Sequence, residues 1–139
     1  MPIEKRGELL RATPDFCLAI SYHPGYQSVL KDLKQSTRQR FVALQFDYPD
    51  AALEQQIVEK ESWVDSEMAG KLVKFATMTR NLEGSGLEEG ASTRLLVHAA
   101  KLIASEISAV DACHSAIAQA LTDDPEMLTA INELSASLF

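Results

Sequence analysis

The chain of 139 residues has few of the residues that build metal or disulfide sites. It contains two cysteines, Cys17 and Cys113, which lie far apart in sequence and inside apolar stretches. No cysteine or histidine pair has the close spacing of a zinc site, so we expect two reduced thiols in the core. No run approaches the roughly 20 apolar residues that span a bilayer, so no membrane insertion is expected.

Basic residues are scarce in the second part of the chain. Up to Tyr48 there are seven Lys and Arg against five Asp and Glu, whereas from Pro49 onward there are six against fifteen. Binding to a phosphate backbone depends on Lys and Arg, so we expect no nucleic acid partner. Charged residues rather than an apolar run follow Met1, which predicts no signal peptide and a soluble, cytoplasmic protein.

A phosphate-binding glycine loop is also missing. Such a loop surrounds the phosphates with backbone N–H groups, a lysine and a hydroxyl in the pattern Gly-x-x-x-x-Gly-Lys-Ser/Thr, which does not occur here. Gly84-Ser85-Gly86 lacks the lysine and a preceding strand, and is interpreted as a linker. No apolar run ends in the paired acids that would hold magnesium. We therefore expect no ATP hydrolysis by this chain alone.

The apolar pattern changes near Pro49. Residues 2–14 are typical of a strand or hairpin, 16–21 and 41–46 of buried strands, and 27–36 of a helix. Helical spacing then predicts helices at 50–63, 65–82, 92–106, 108–121 and 125–138, with Ser92 and Asp124 as N-caps. The predicted fold class is α/β but mostly helical, with two strands and a helix in residues 1–48 and an all-helical bundle in 49–139. Two strands do not form a stable sheet alone, so we expect the first part to be completed by other sequence.

Two segments place an arginine where an irregular stretch meets a regular element, a position that suits contact with a phosphate. For Arg38 and Arg40 the alternative to a phosphate contact is a solvated basic helix end beside Lys31 and Lys34. Arg94 falls in the first turn of a predicted helix, where the helix dipole disfavours a cation, so a nearby anion would explain it. Three other residues are expected to be structural: Trp63 between helices, and His98 and His114 at the edge of the core.

The sequence resembles the C-terminal half of the CbbQ/NirQ/NorQ family, AAA+ ATPases of the MoxR group, over roughly residues 2–138. The matching segments read LAISYHPGYQ (18–27), LKDLK (30–34), STRQRF (36–41), EGASTRLL (89–96) and LTDDPE (121–126). The resemblance implies the C-terminal end of an AAA+ core sheet in residues 1–48, followed by a helical lid in 49–139.

The resemblance also implies roles for four residues. Arg40 matches the arginine finger that reaches the γ-phosphate held by a neighbouring subunit, and Arg38 is the alternative for this role. Arg94 matches sensor 2, the lid arginine that contacts the nucleotide of its own subunit. His23 takes the sensor 1 position, where the family usually has asparagine. It either orients the attacking water or is a turn histidine without a ligand.

The implied cofactor is ATP with Mg²⁺, bound mainly by an N-terminal half that this sequence lacks. The implied assembly is a hexameric ring of neighbouring AAA+ subunits, working with a partner that carries a von Willebrand factor A domain on Rubisco or nitric oxide reductase. The alternative is a non-enzymatic, truncated or split subunit that docks onto a complete ATPase ring. A DNA-binding helical domain is disfavoured by the negative charge of the helical part.

Overall fold

The computed structural model describes residues 2–3, 8–9, 13–21, 36 and 39–139. The chain forms two compact units, residues 1–45 and 46–139. In the first unit, β1 (Pro2–Ile3) and β2 (Glu8–Leu9) pair antiparallel, with Pro2 opposite Leu9 and Ile3 opposite Glu8. This pairing is consistent with the strand or hairpin predicted within residues 2–14.

The two predicted core strands are not confirmed. Within the described part of the chain, residues 16–21 and 41–46 are irregular and pair with no strand. A strand is stabilised by the neighbouring strands with which it pairs. These two runs have no such neighbour in the described part of the chain, so most of their residues are exposed. Cys17, predicted to lie in the core, is exposed for the same reason. The predicted helix at 27–36 lies outside the described residues, apart from the helical Ser36. The large apolar side chains left exposed are Phe16, Leu18, Val42, Leu44 and Phe46.

The second unit is helical, and all five predicted helices are confirmed with small shifts at their ends. One of them, over residues 109–121, contains a π-helical turn in its middle. No helix in the described residues is long and apolar enough to cross a bilayer. The elements are α1 (Ala51–Ser62), α2 (Ser66–Arg80), α3 (Thr93–Ala104), α4 (Ala109–Cys113), the π-helical turn (His114–Ala118), α5 (Gln119–Leu121) and α6 (Pro125–Leu138).

Aspartate side chains determine where three of these helices begin. Asp50, Asp65 and Asp124 each accept a hydrogen bond, at 2.8 to 2.9 Å, from the backbone N–H three residues further on. Ser92, the predicted cap of α3, has the extended backbone of an N-cap residue but makes no capping hydrogen bond with its side chain. The start of α3 therefore depends on other contacts.

The core of the second unit lies between these helices. Cys113 is buried in it, as predicted. Burial raises the pKa of the Cys113 thiol to about 11, and the nearby Ser135 hydroxyl opposes this only in part, so the thiol is protonated at neutral pH. The largest apolar side chains with no exposed surface are Phe75, Leu72, Leu96, Ile117, Ile131 and Val58.

Trp63 does not pack between helices, so that prediction is wrong. It is 90% exposed and follows α1 with a left-handed φ of 67°. The buried stripe of α1 consists of Glu54, Val58 and Ser62, four residues apart. Trp63 follows Ser62 directly, so even in a continuing helix it would lie about 100° away from this stripe, and the indole stays in solvent.

Of the two histidines expected at the core edge, only His114 lies there. It is half-buried, and its Nδ1 lies 3.0 Å from Oδ1 of Asn132. His98 is exposed, because the buried face of α3 is formed by Leu96, Ala99 and Ala100.

Candidate functional site

Arg94 is the second residue of α3, and its side chain is exposed. Among the described residues its guanidinium makes no hydrogen bond or ion pair, and the first turn of α3 contains no acidic residue. The arginine charge therefore adds to the partial positive charge of the helix N-terminus. Helix N-termini of this kind can bind anions such as phosphate.

The other predicted site residues belong to the first unit. Arg40 lies in a turn and is exposed. Arg38 and His23 lie outside the described residues. In the described part of the chain, no group of three or more His, Cys, Asp or Glu side chains is arranged to hold a metal ion.

The segment predicted as a linker is a hydrogen-bonded turn. The Gly84 N–H donates to the Leu87 carbonyl, and the Ser85 N–H to the Leu82 carbonyl, both at 3.0 Å. Gly84 and Gly86 have backbone φ values of 75° and 119°, which residues other than glycine rarely adopt. Leu87 is buried, so the turn is anchored to the core.

A buried ion pair between Glu54 and Arg80 is hydrogen-bonded to the residues at the start of α3. Glu54 of α1 has no exposed surface, and Arg80 is the last residue of α2. The guanidinium donates from Nη1 to Oε2 of Glu54 at 2.8 Å and from Nη2 to Oε1 at 2.7 Å, a two-pronged geometry. Nε and Nη2 of Arg80 also donate to the Ala91 carbonyl, at 2.9 and 2.7 Å. The Thr93 hydroxyl donates to Oε1 of Glu54 at 2.6 Å.

Gly90 allows the backbone to approach this pair closely. A Cβ atom at this position would lie 2.5 Å from both Cα and Cγ of Arg80. The Gly90 N–H donates to Oε1 of Glu83 at 2.8 Å, and the Ala91 N–H to Oγ1 of Thr79 at 3.1 Å. Consecutive backbone groups just before α3 are thus tied to side chains of α2 and of the turn after it.

Tyr48 covers the outer side of the ion pair. The centroid of its ring lies 3.8 Å from Cζ of Arg80, and its hydroxyl lies 3.3 Å from Oε1 of Glu83 and 3.5 Å from the Gly90 carbonyl. Partial burial raises the pKa of Tyr48; the Glu83 carboxylate adds to this effect and Arg80 opposes it. The phenol is therefore a protonated donor at neutral pH.

Sequence reasoning did not identify Glu54, Arg80 or Tyr48. They come from three separate segments, and no motif links them in sequence. One signal was available, because Glu54 shares the buried face of α1 with Val58 and Ser62, where an apolar side chain is expected. A charged residue at such a position indicates a buried partner.

Comparison with known proteins matches the chain to one family. Residues 54–138 match the family model described as CbbQ/NirQ/NorQ C-terminal. The chain is 50% identical to the protein CbbQ of Hydrogenophilus thermoluteolus and 46% identical to the protein NorQ of Paracoccus denitrificans, in each case over 100% of this chain and 52% of the relative. It is 48% identical to the denitrification regulatory protein NirQ of Stutzerimonas stutzeri, over 95% of this chain and 48% of the relative. The chain spans about half the length of the curated relatives it matches.

Proposed function

The chain belongs to the CbbQ/NirQ/NorQ family, and from this membership we propose that it is the arginine-finger and lid portion of an ATP-hydrolysing AAA+ subunit. Residues 1–48 would supply the end of the α/β core, and residues 49–139 the helical lid. ATP with Mg²⁺ would be held mainly by a preceding half that carries the phosphate loop. The observation that carries the proposal is Arg94, an exposed cation at the positive end of α3, on a backbone turn tied to buried side chains.

In this proposal the two arginines act on different nucleotides. Arg94 contacts the phosphates bound in its own subunit and so links the lid to the nucleotide state. Arg40 reaches the γ-phosphate of a neighbouring subunit, with Arg38 as the alternative. A finger supplied from a neighbour stabilises the charge that develops on the transferred phosphoryl group, an effect of about three to five orders of magnitude in rate. His23 takes the sensor 1 position.

The assembly we propose is a hexameric ring that works with a partner carrying a von Willebrand factor A domain. Lid movement driven by ATP would remodel the target, which by analogy is Rubisco or nitric oxide reductase.

The test of the Arg94 role uses this chain joined to an N-terminal half that carries a phosphate loop. We expect Arg94→Ala to weaken ATP binding by about tenfold or more, because a hydrogen bond to a charged group contributes roughly 1.5–3 kcal/mol. The control is Lys101→Ala, an exposed cation in the last turn of the same helix, which should leave the affinity unchanged. An unchanged affinity in Arg94→Ala would rule out the sensor 2 role.

The test of the Arg40 role measures ATP turnover in the same joined protein. We expect Arg40→Ala to lower turnover by about a hundredfold or more while ATP binding persists. Mixing Arg40→Ala subunits with subunits inactivated in their phosphate loop should restore part of the activity, because each supplies what the other lacks. No restoration would contradict a finger acting between subunits, and Arg38→Ala tests the alternative. A joined protein without turnover, together with binding of this chain to a complete ring, would support the non-enzymatic alternative.

A further inference from the structure

We propose that the buried Glu54–Arg80 pair is the positioning element for Arg94. The inference rests on the proposed contact between Arg94 and the nucleotide. The pair reaches the chain on both sides of Ser92: Arg80 holds the Ala91 carbonyl, and Glu54 holds the Thr93 hydroxyl. These two anchors, one on each side of Ser92, fix the direction in which the chain enters α3.

The usual local device for starting a helix is missing at α3. Ser92 occupies the N-cap position without a side-chain hydrogen bond to the first turn. The three aspartate-capped helices have that bond. The direction of the first turn of α3, and with it the placement of Arg94, therefore depends on side chains from α1 and α2.

Arg80 is not itself placed to contact a nucleotide. Nη1 and Nη2 donate to Glu54, Nε and Nη2 donate to Ala91, and the ring of Tyr48 lies against the guanidinium. Its side chain is only 13% exposed. Arg80 is therefore a positioning residue, which acts through the turn that carries Arg94.

Lysine cannot reproduce the contacts of Arg80. A guanidinium donates in a fixed planar fork, which here spans Glu54 and Ala91 at once, whereas an ammonium group is a single point of charge. Arg80→Lys thus keeps the charge beside Glu54 and loosens the hold on the Ala91 carbonyl. It displaces Arg94 without removing it.

The experiment is a double-mutant cycle in the joined protein. The dissociation constant of a non-hydrolysable ATP analogue is measured for the parent, Arg80→Lys, Arg94→Ala and the double variant. We expect Arg80→Lys to weaken binding roughly three- to tenfold, because a small misplacement of a contact group lowers its effect sharply. We expect the double variant to bind as Arg94→Ala does, since Arg80 acts only through Arg94.

Thr93→Val serves as a second, milder variant. It removes the hydroxyl that donates to Glu54 and keeps a side chain of similar shape. If Arg80→Lys lowers the helical circular dichroism signal, which would show a folding defect, Thr93→Val replaces it as the test of the positioning role. We expect Thr93→Val to weaken binding of the analogue on its own, and to have no further effect on binding when it is combined with Arg94→Ala. The control is Glu61→Gln, an exposed carboxylate on the same helix as Glu54, which should bind as the parent does.

The outcomes separate the two proposals. If Arg94→Ala binds as tightly as the parent, the proposed function of Arg94 is wrong. If Arg94→Ala weakens binding but neither Arg80→Lys nor Thr93→Val does so in a folded protein, the positioning role alone is overturned. An effect that simply adds to that of Arg94→Ala also overturns it, because a purely structural contribution would behave in that way.

Discussion

Glu54 is a carboxylate with no exposed surface, and it is tolerated because each oxygen has partners. Oε1 accepts from Arg80 and Thr93, and Oε2 accepts from Arg80. Removing one partner of such a buried pair typically costs about 3–5 kcal/mol, although the intact pair adds little net stability over a well-packed apolar core. We therefore expect the pair to contribute specificity, by favouring one arrangement of α1, α2 and the start of α3.

Gly90 and Gly70 form a matched pair for testing the close backbone approach. A Cβ at Gly90 would clash with Arg80 backbone and side-chain atoms at 2.5 Å, whereas at Gly70 it would make an ordinary contact with the Gln55 side chain at 3.6 Å. We expect Gly90→Ala to lower the free energy of unfolding by about 2 kcal/mol. Gly70→Ala in the interior of α2 should raise it by roughly 0.5–1 kcal/mol.

Urea unfolding of both glycine variants, followed by circular dichroism, checks this prediction. Equal changes in the two variants would contradict the tight approach of Gly90 to Arg80.

At the scale of elements, the helices were predictable because their signals are local. Apolar spacing located each one, and Asp124 before Pro125 marked the start of α6, where the structure begins it. The position of Arg94 in the first turn of α3 was found in the same way. The Glu54–Arg80 pair was not found, because it joins residues 26 positions apart and no local pattern encodes such a contact.

The two predicted core strands show the other limit of local signals. Their apolar runs indicate burial, but a strand is defined by the neighbour with which it pairs. Within the described residues, 16–21 and 41–46 have no such neighbour, and side chains such as Val42 and Phe46 are about nine-tenths exposed. A pattern in the sequence predicts that a segment needs a partner, and it does not supply one.

At the scale of the whole molecule, the second unit contains its own hydrophobic core. The residues that form this core all lie between Val58 and Ile131, with partly buried side chains out to Phe139 packed against them. Helix caps, the turn before α3 and the Glu54–Arg80 pair also lie within residues 46–139. We therefore expect the stability of this unit not to depend on the sheet that the first unit was predicted to contribute.

We expect residues 46–139 alone to fold cooperatively, with the thermal midpoint of the helical signal close to that of the full chain. A shorter fragment, 51–139, lacks both Asp50, which caps α1, and Tyr48, which lies against Arg80. It should be less stable by about 1–2 kcal/mol, since a cap contributes roughly 1 kcal/mol and a cation–π contact roughly 0.5–1. Circular dichroism melts of the three chains measure this. A fragment 46–139 without cooperative unfolding would contradict the independent core.

Trp63 is the single tryptophan of the chain, and it stands almost fully in water between α1 and α2. The indole emission of the native protein should therefore lie at the long wavelengths of a hydrated ring and change little on unfolding. A shift to shorter wavelengths would instead report that another molecule has covered this turn. The chain thus carries a built-in optical probe for association, separate from the circular dichroism signal that follows its folding.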